Sequence, residues 1–202
     1  IDKSLANYRV YLVDDGSKDN TAKVAEQFAQ ELPIEVISHD TNRGLGAAIE
    51  TGIFHLAKIL EPGSVVVTMD SDLTHSPELV PRMLREIDRG SDIVIASRYV
   101  RGGKQLRLPL MRRLLSRGVN TILWIRGSKV LDNTSGFRCM RIESLTKAVQ
   151  VYGSDLITES GFTGASVKEI PLILDYGNKK GASKMNISHT IRAYVKLFIK
   201  LR

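Results

Sequence analysis

Two aspartates, Asp70 and Asp72, close an apolar run in VVVTMDSDLTH, residues 65–75. Set at i and i+2 on an extended chain, their carboxylates point to one side. Two carboxylates held close repel each other unless a cation neutralises them. Oxygen donors suit hard ions, and Mg²⁺ or Mn²⁺ commonly bridges a carboxylate to substrate phosphates. A solvated turn with Asp70 capping the next helix is the competing reading, and a lone D-x-D occurs often by chance. A second acidic pair, Asp14-Asp15 in VDDGSKDN, also follows an apolar run and tips the balance toward a metal. Arg98 ends a further run, IVIAS. The four histidines, His39, His55, His75 and His189, show no close metal-ligand pairing. Neither G-x-S-x-G nor a P-loop occurs, and Gly44-Leu45-Gly46 is too short for a dinucleotide fingerprint.

These groups need elements to position them. Residues 8–13 and 34–38 read as strands, as do 65–69 and 93–97. Helical spacing covers 21–32, with Val24, Ala25, Phe28 and Leu32 on one face and Asp19 or Asn20 as N-cap. It recurs over 45–60, after the Asn42-Arg43-Gly44 turn, and over 77–88, where Pro77 suits a first turn. Strands alternating with helices predict βαβ units and a largely parallel sheet. In such sheets ligands bind beyond the carboxyl ends of the strands, where Asp15, Asp70, Asp72 and Arg98 fall.

Composition narrows the partners. The 202 residues are 43% hydrophobic and 25% charged, with a net charge of +7 and a pI of about 9.6. That suits one globular domain with anionic partners, such as phosphorylated metabolites, nucleic acid or an acidic membrane. Few aromatics interleave the basic stretches, which argues against a nucleic-acid stacking platform. Cys139 is the only cysteine, which rules out an intrachain disulfide and fits a reducing compartment. No apolar run is long enough to span a bilayer, and no secretory signal opens the sequence.

Six segments stand in order: VDDGSKDNT, NRGLGAAIETG, MDSDLTHSPE, GSDIVIASRYVRGG, RRLLSRGVN and TSGFR. Together the sequence resembles the inverting family 2 glycosyltransferases, and among them dolichol-phosphate mannose synthases and related polyprenyl-phosphate glycosyltransferases. The resemblance covers nearly the whole chain. VDDGS and D-x-D belong to the wider family, whereas SRY, R-x₃-S-R-G and the late GASKM narrow it. It implies an α/β, GT-A fold, Rossmann-like, with a mostly parallel central sheet flanked by helices. Residues 1–185 would form the catalytic domain. The implied reaction moves a hexose, mannose from GDP-mannose by preference, onto a polyprenyl (dolichyl) phosphate with inversion. A UDP-glucose or other UDP-sugar enzyme is the near alternative.

The same resemblance assigns roles. Val13, Asp15, Asp70, Ser71 and Asp72 would meet the nucleotide. Asp70 and Asp72 would hold Mg²⁺ or Mn²⁺, with Thr74 standing where relatives often carry a glutamine ligand. Arg98, Arg112 and Ser116 would gather the acceptor phosphate, and Lys184 in GASKM would close over the donor diphosphate, with Lys179 or Lys180 replacing an arginine at Asn178. A family strand ending P-x-Y-N-E has no counterpart before Ile1, and Thr163 follows Gly161-Phe162 where a helix is expected. Residues missing at both places are therefore expected.

The acceptor's lipid tail implies a membrane surface. Residues 186–202 have helical apolar spacing with Arg192, Lys196, Lys200 and Arg202, which suits a basic interfacial helix. Residues 106–125 are a second candidate. Membrane association at the cytoplasmic face is the expectation. Two other classes remain: a non-catalytic basic binding module, and a phosphoacceptor receiver domain, which is shorter and does not need a basic C-terminal half.

Overall fold

The computed structural model describes residues 7–152 and 164–178. Its elements alternate as the sequence predicts. β1 (Val10–Asp14), α1 (Thr21–Ala29), β2 (Ile34–Ser38), α2 (Leu45–Ile59) and β3 (Val65–Thr68) come first. A 3₁₀ turn (Pro77–Leu79) leads into α3 (Val80–Asp88), then β4 (Ile93–Ser97) and the short β5 (Lys104–Leu106). α4 (Leu110–Ile125), β6 (Arg138–Arg141), α5 (Ile142–Tyr152), β7 (Val167–Pro171) and β8 (Ile173–Asp175) complete the described chain, with a 3₁₀ turn at Tyr176–Asn178.

The main sheet has the order β3-β6-β4-β7. β6 runs antiparallel to both β3 and β4, so those two share a direction, and β7 runs parallel to β4. The expected parallel arrangement therefore holds for three strands, with β6 reversed among them. β1 and β2 pair in parallel, as do β5 and β8. Among the described residues β1 pairs only with β2, and β3 only with β6.

Side chains alternate across the main sheet with a period of two. Val66, Ile93, Ile95 and Met140 face one way and pack with Ile53 of α2 and Leu145 of α5. Val94, Ala96 and Cys139 face the other way and pack with Met83 and Ile87 of α3 and with Phe137. Helices on both faces explain why β4 is buried along its whole length. Burial also pushes the Cys139 thiol up to about 12, which leaves it inert at neutral pH.

The β1–β2 pair is packed differently. Its strands are half-buried, and only Ala25 of the apolar face expected on α1 is buried. Val24, Phe28 and Leu32 are exposed. That helix also stops at Ala29, short of Leu32, and the N-cap residue Asn20 makes no side-chain capping bond. Asp19 instead accepts from the Thr21 backbone N–H at 3.0 Å. The spacing was helical, but the two-stranded sheet offers too little surface to cover a full helix face.

Candidate active site

β3 ends at Thr68, so Asp70 and Asp72 lie in a bend and not on an extended strand. Leu73 turns the chain with φ of 65°. A left-handed leucine is strained, and such strain gathers at functional sites. The turn brings Thr74 back onto Asp72. Its backbone N–H and hydroxyl both donate to Asp72 Oδ1, at 3.1 and 2.5 Å. Thr74, expected as a cation ligand, is buried and orients Asp72 in this arrangement. Asp70 and Ser71 are exposed.

His75 supports the acidic bend from below. Its Nδ1 accepts the Asp70 backbone N–H at 2.9 Å, and its ring stacks on Phe137 with centroids 5.0 Å apart. Burial lowers its pKa, as does the Arg98 charge, against the opposing pull of Asp70, Asp72 and Asp132. The acidic bend and the Arg98 region share one neighbourhood: a Cβ at Gly136 would lie 3.7 Å from Asp70 Oδ1, and Thr134, two residues earlier, bonds Arg98. Thr68 Oγ1 ties them further, donating to the Gly136 carbonyl at 2.9 Å.

Arg98 follows β4 and is locked in place. Its Nε donates to Asp132 Oδ2 at 2.8 Å and its Nη2 to Asp132 Oδ1 at 2.6 Å. Asp132 has 0% of its surface exposed. A bidentate pair of this kind fixes the guanidinium plane. Nη2 also reaches Thr134 Oγ1 at 2.6 Å and Ser116 Oγ at 3.2 Å. Ser116 takes a further bond from the Tyr99 hydroxyl at 2.9 Å. Glu169 of β7 holds the other side of the loop, accepting the Leu131 and Asp132 backbone N–H groups, each at 2.9 Å. Arg112 turns to Tyr176, bonding its hydroxyl and lying 5.3 Å from its ring centroid. Arg98 and Ser116 thus meet directly, and Arg112, four residues before Ser116 on α4, bonds Tyr176.

Asp15 forms a third centre at the end of β1. Its Oδ1 accepts the His39 Nδ1–H at 2.8 Å and the Arg43 backbone N–H at 2.9 Å. Its Oδ2 accepts the Gly44 N–H at 2.7 Å. Burial raises the Asp15 pKa, but the bonds from Arg43, His39 and Gly44 outweigh it and hold the carboxyl below its usual value. Gly16 beside it has φ of 65°, and a Cβ there would lie 2.5 Å from the Thr41 carbonyl carbon. Only glycine admits this close approach. Val13 is half-buried within β1. Lys184, Lys179, Lys180 and residues 186–202 lie outside the described residues.

Among the described residues no group of three His, Cys, Asp or Glu side chains forms a metal cage. Two carboxylates in one bend still fit a hard cation such as Mg²⁺, which keeps waters and takes its remaining oxygens from substrate phosphates. Sequence reasoning missed His75, His39, Asp132 and Glu169. Asp132 directly precedes the Asn133-Thr134-Ser135 run, yet its partner lies 34 positions away. No local pattern marks such a pair.

The chain is similar to known proteins of one family. The model of glycosyl transferase family 2 matches residues 1–148. The chain is 33% identical over 201 residues to the dolichol-phosphate mannosyltransferase of Pyrococcus furiosus, covering 96% of this chain and 55% of that protein. It is 36% identical over 199 residues to the polyprenol monophosphomannose synthase of Mycolicibacterium smegmatis, covering 93% and 74%. The chain thus spans about half of the first relative and about three quarters of the second. Among solved structures, glucosyl-3-phosphoglycerate synthase from Mycobacterium tuberculosis with Mn²⁺ and UDP-glucose superposes with a TM-score of 0.61 at 18% identity, over 94% of this chain and 65% of that one. That likeness bears on the fold, which is GT-A. On these grounds the chain belongs to glycosyl transferase family 2.

Proposed function

We propose that this chain transfers mannose, with inversion, from GDP-mannose to a polyprenyl phosphate at the cytoplasmic face of a membrane. The observation that carries the reading is the meeting of the acidic bend, Asp70 and Asp72, with the Arg98–Ser116 cluster: a Cβ at Gly136 would lie 3.7 Å from Asp70 Oδ1, and Thr134, two residues earlier, bonds both Arg98 and Ser116. A donor diphosphate and an acceptor phosphate need those two neighbourhoods side by side. The names of the mannosyltransferase relatives support the sugar and the lipid.

Asp70 and Asp72 hold Mg²⁺ or Mn²⁺ in this reading, and Thr74 keeps Asp72 turned toward it. When bound, the cation offsets the charge that grows on the departing nucleoside diphosphate. Asp15, Val13 and Ser71 border the nucleotide, and Lys184 closes over the diphosphate. The acceptor is a phosphate ester whose second pKa is about 6, so it arrives ionised and requires no general base. Arg98, Arg112 and Ser116 form the acceptor side, where the rigid guanidinium of Arg98 orients the phosphate for in-line attack.

The membrane part rests on α4. Leu110, Leu114 and Ile125 stand on one helical face with 68%, 56% and 71% of their surface exposed. An apolar face edged by arginines suits the headgroup–acyl boundary. No helix among the described residues is long and apolar enough to cross a membrane.

A donor panel tests the function. Purified protein with Mn²⁺, a short polyprenyl phosphate and either GDP-mannose or UDP-glucose should yield mannosyl lipid from the first. Transfer from UDP-glucose alone would move the assignment to a glucosyltransferase. Failure with every nucleotide sugar would remove it.

A further inference from the structure

One imidazole, His39, ties the lightly packed β1–β2 pair to a helix of the main core. It follows β2, and its backbone N–H donates to the Asp14 carbonyl at 2.9 Å. That bond extends the β1–β2 pairing by one residue and sets the imidazole beside Asp15. The side chain keeps only 6% of its surface, and both ring nitrogens are engaged. Nδ1 lies 2.8 Å from Asp15 Oδ1, and Nε2 lies 2.8 Å from Thr51 Oγ1 in α2. α2 in turn is anchored through Ile53, which is buried against the main sheet.

These partners fix the chemistry of the ring. An ionised carboxylate only accepts, so Nδ1 carries the hydrogen, and in the neutral ring Nε2 then accepts from the Thr51 hydroxyl. Asp15 Oδ1 is filled by His39 and by the Arg43 N–H. Oδ2 takes the Gly44 N–H alone among the described residues, and a carboxylate oxygen can accept twice. One acceptor position thus remains on Oδ2. Asp15 keeps 17% of its side-chain surface, which lets a ligand N–H reach it. The Asn42 amide donates to the Asp15 carbonyl at 3.1 Å and holds the backbone of the same residue. Among the described residues, His39 is the one side chain that bonds the carboxylate itself.

We infer that His39 is a positioning residue for nucleotide binding: Thr51 holds its hydrogen on Nδ1, and that N–H turns Asp15 so that the open position on Oδ2 meets the ligand. The inference rests on the reading of Asp15 as bordering the nucleotide. A tie that served folding alone would leave nucleotide affinity untouched, which separates the two roles.

The test uses the intact protein with Mg²⁺. GDP and UDP affinities are measured calorimetrically, donor and acceptor KM by turnover, and the imidazole tautomer by ¹⁵N NMR. His39 of the wild type should carry its hydrogen on Nδ1. Asparagine places an amide nitrogen where Nδ1 lies, and glutamine places one where Nε2 lies. His39→Gln should therefore weaken nucleotide binding about 10-fold or more. It should raise donor KM to match and leave acceptor KM unchanged. His39→Asn should recover most of the loss. Thr51→Val should weaken binding less than His39→Gln and release the tautomer; it carries the test where a His39 variant fails to fold. Combined with Asp15→Asn, His39→Gln should add no further loss, because both act through one carboxylate. Wild-type nucleotide affinity in His39→Gln overturns the role, even if the unfolding midpoint falls. A hydrogen on Nε2 in the wild type, an equal loss in His39→Asn and His39→Gln, or a rise in acceptor KM alone overturns it too. A wild type that binds UDP through His39 but not GDP keeps the role and removes the GDP-mannose reading. A wild type that binds neither nucleotide removes both.

Discussion

Asp70 stands exposed after β3 at the rim of the main sheet, whereas Asp132, in the loop before β6, has no surface at all. The first carboxylate extends from a bend held by one backbone bond to His75. The second is gripped by the Arg98 guanidinium and framed by Glu169 through the backbone. Both are aspartates in loops that follow or precede strands of one sheet. Their surroundings give them opposite work. Asp132 is a structural charge whose value depends on its partner, and Asp70 is left accessible to something outside the protein, with the half-buried Asp72 beside it. The difference teaches that acidity near a strand end is not by itself a sign of chemistry.

Substitutions can break that contrast. Asp132→Ala should have the largest effect on stability, since it strands a mostly buried arginine. Removing one partner of a buried pair costs about 3–5 kcal/mol, and urea unfolding would read it. A loss below about 1 kcal/mol would mean that Arg98 finds water when its partner is gone. Gly103→Ala ranks next. A Cβ there would lie 2.6 Å from the Ser97 carbonyl oxygen and 2.7 Å from the Arg98 carbonyl carbon, so backbone must shift. Overpacking of this kind costs about 1–3 kcal/mol, visible as a lowered midpoint.

Asp15→Asn should give the smallest stability change, and a pH dependence identifies it. Burial raises the Asp15 pKa, but the bonds from Arg43, His39 and Gly44 hold the carboxyl below its ordinary value. A depressed carboxylate stabilises the fold above its unfolded pKa and loses that contribution as pH falls through the folded value. The stability gap between wild type and Asp15→Asn should therefore be constant at neutral pH and narrow below about pH 4. A gap that stays constant in acid would show that the Arg43, Gly44 and His39 contacts do not favour the charged form.

Much of the frame was legible because it is local. The runs at 34–38 and 93–97 became β2 and β4 with unchanged bounds. Asp70, Asp72, Arg98 and Ser116 were visible from position and from family resemblance. What escaped depends on tertiary contact. The antiparallel β6, RCMR, is a short strand with arginines at both ends, and its core role comes from pairing between β3 and β4. The bend at Leu73 could not be read from a leucine, which normally avoids φ of 65°. The exposure of Val24, Phe28 and Leu32 reflects the width of the sheet beneath them, which periodicity does not report.

Asp72→Asn tests the central claim most directly, because it alters the acidic bend and spares the buried pair. Radiolabelled mannose transfer from GDP-mannose to a polyprenyl phosphate would be followed for the wild type and the variant at saturating Mn²⁺. Turnover should fall at least about 100-fold, as loss of several kcal/mol of charge stabilisation requires, while unfolding stability changes by less than about 1 kcal/mol. Equal turnover in the two proteins would contradict the account.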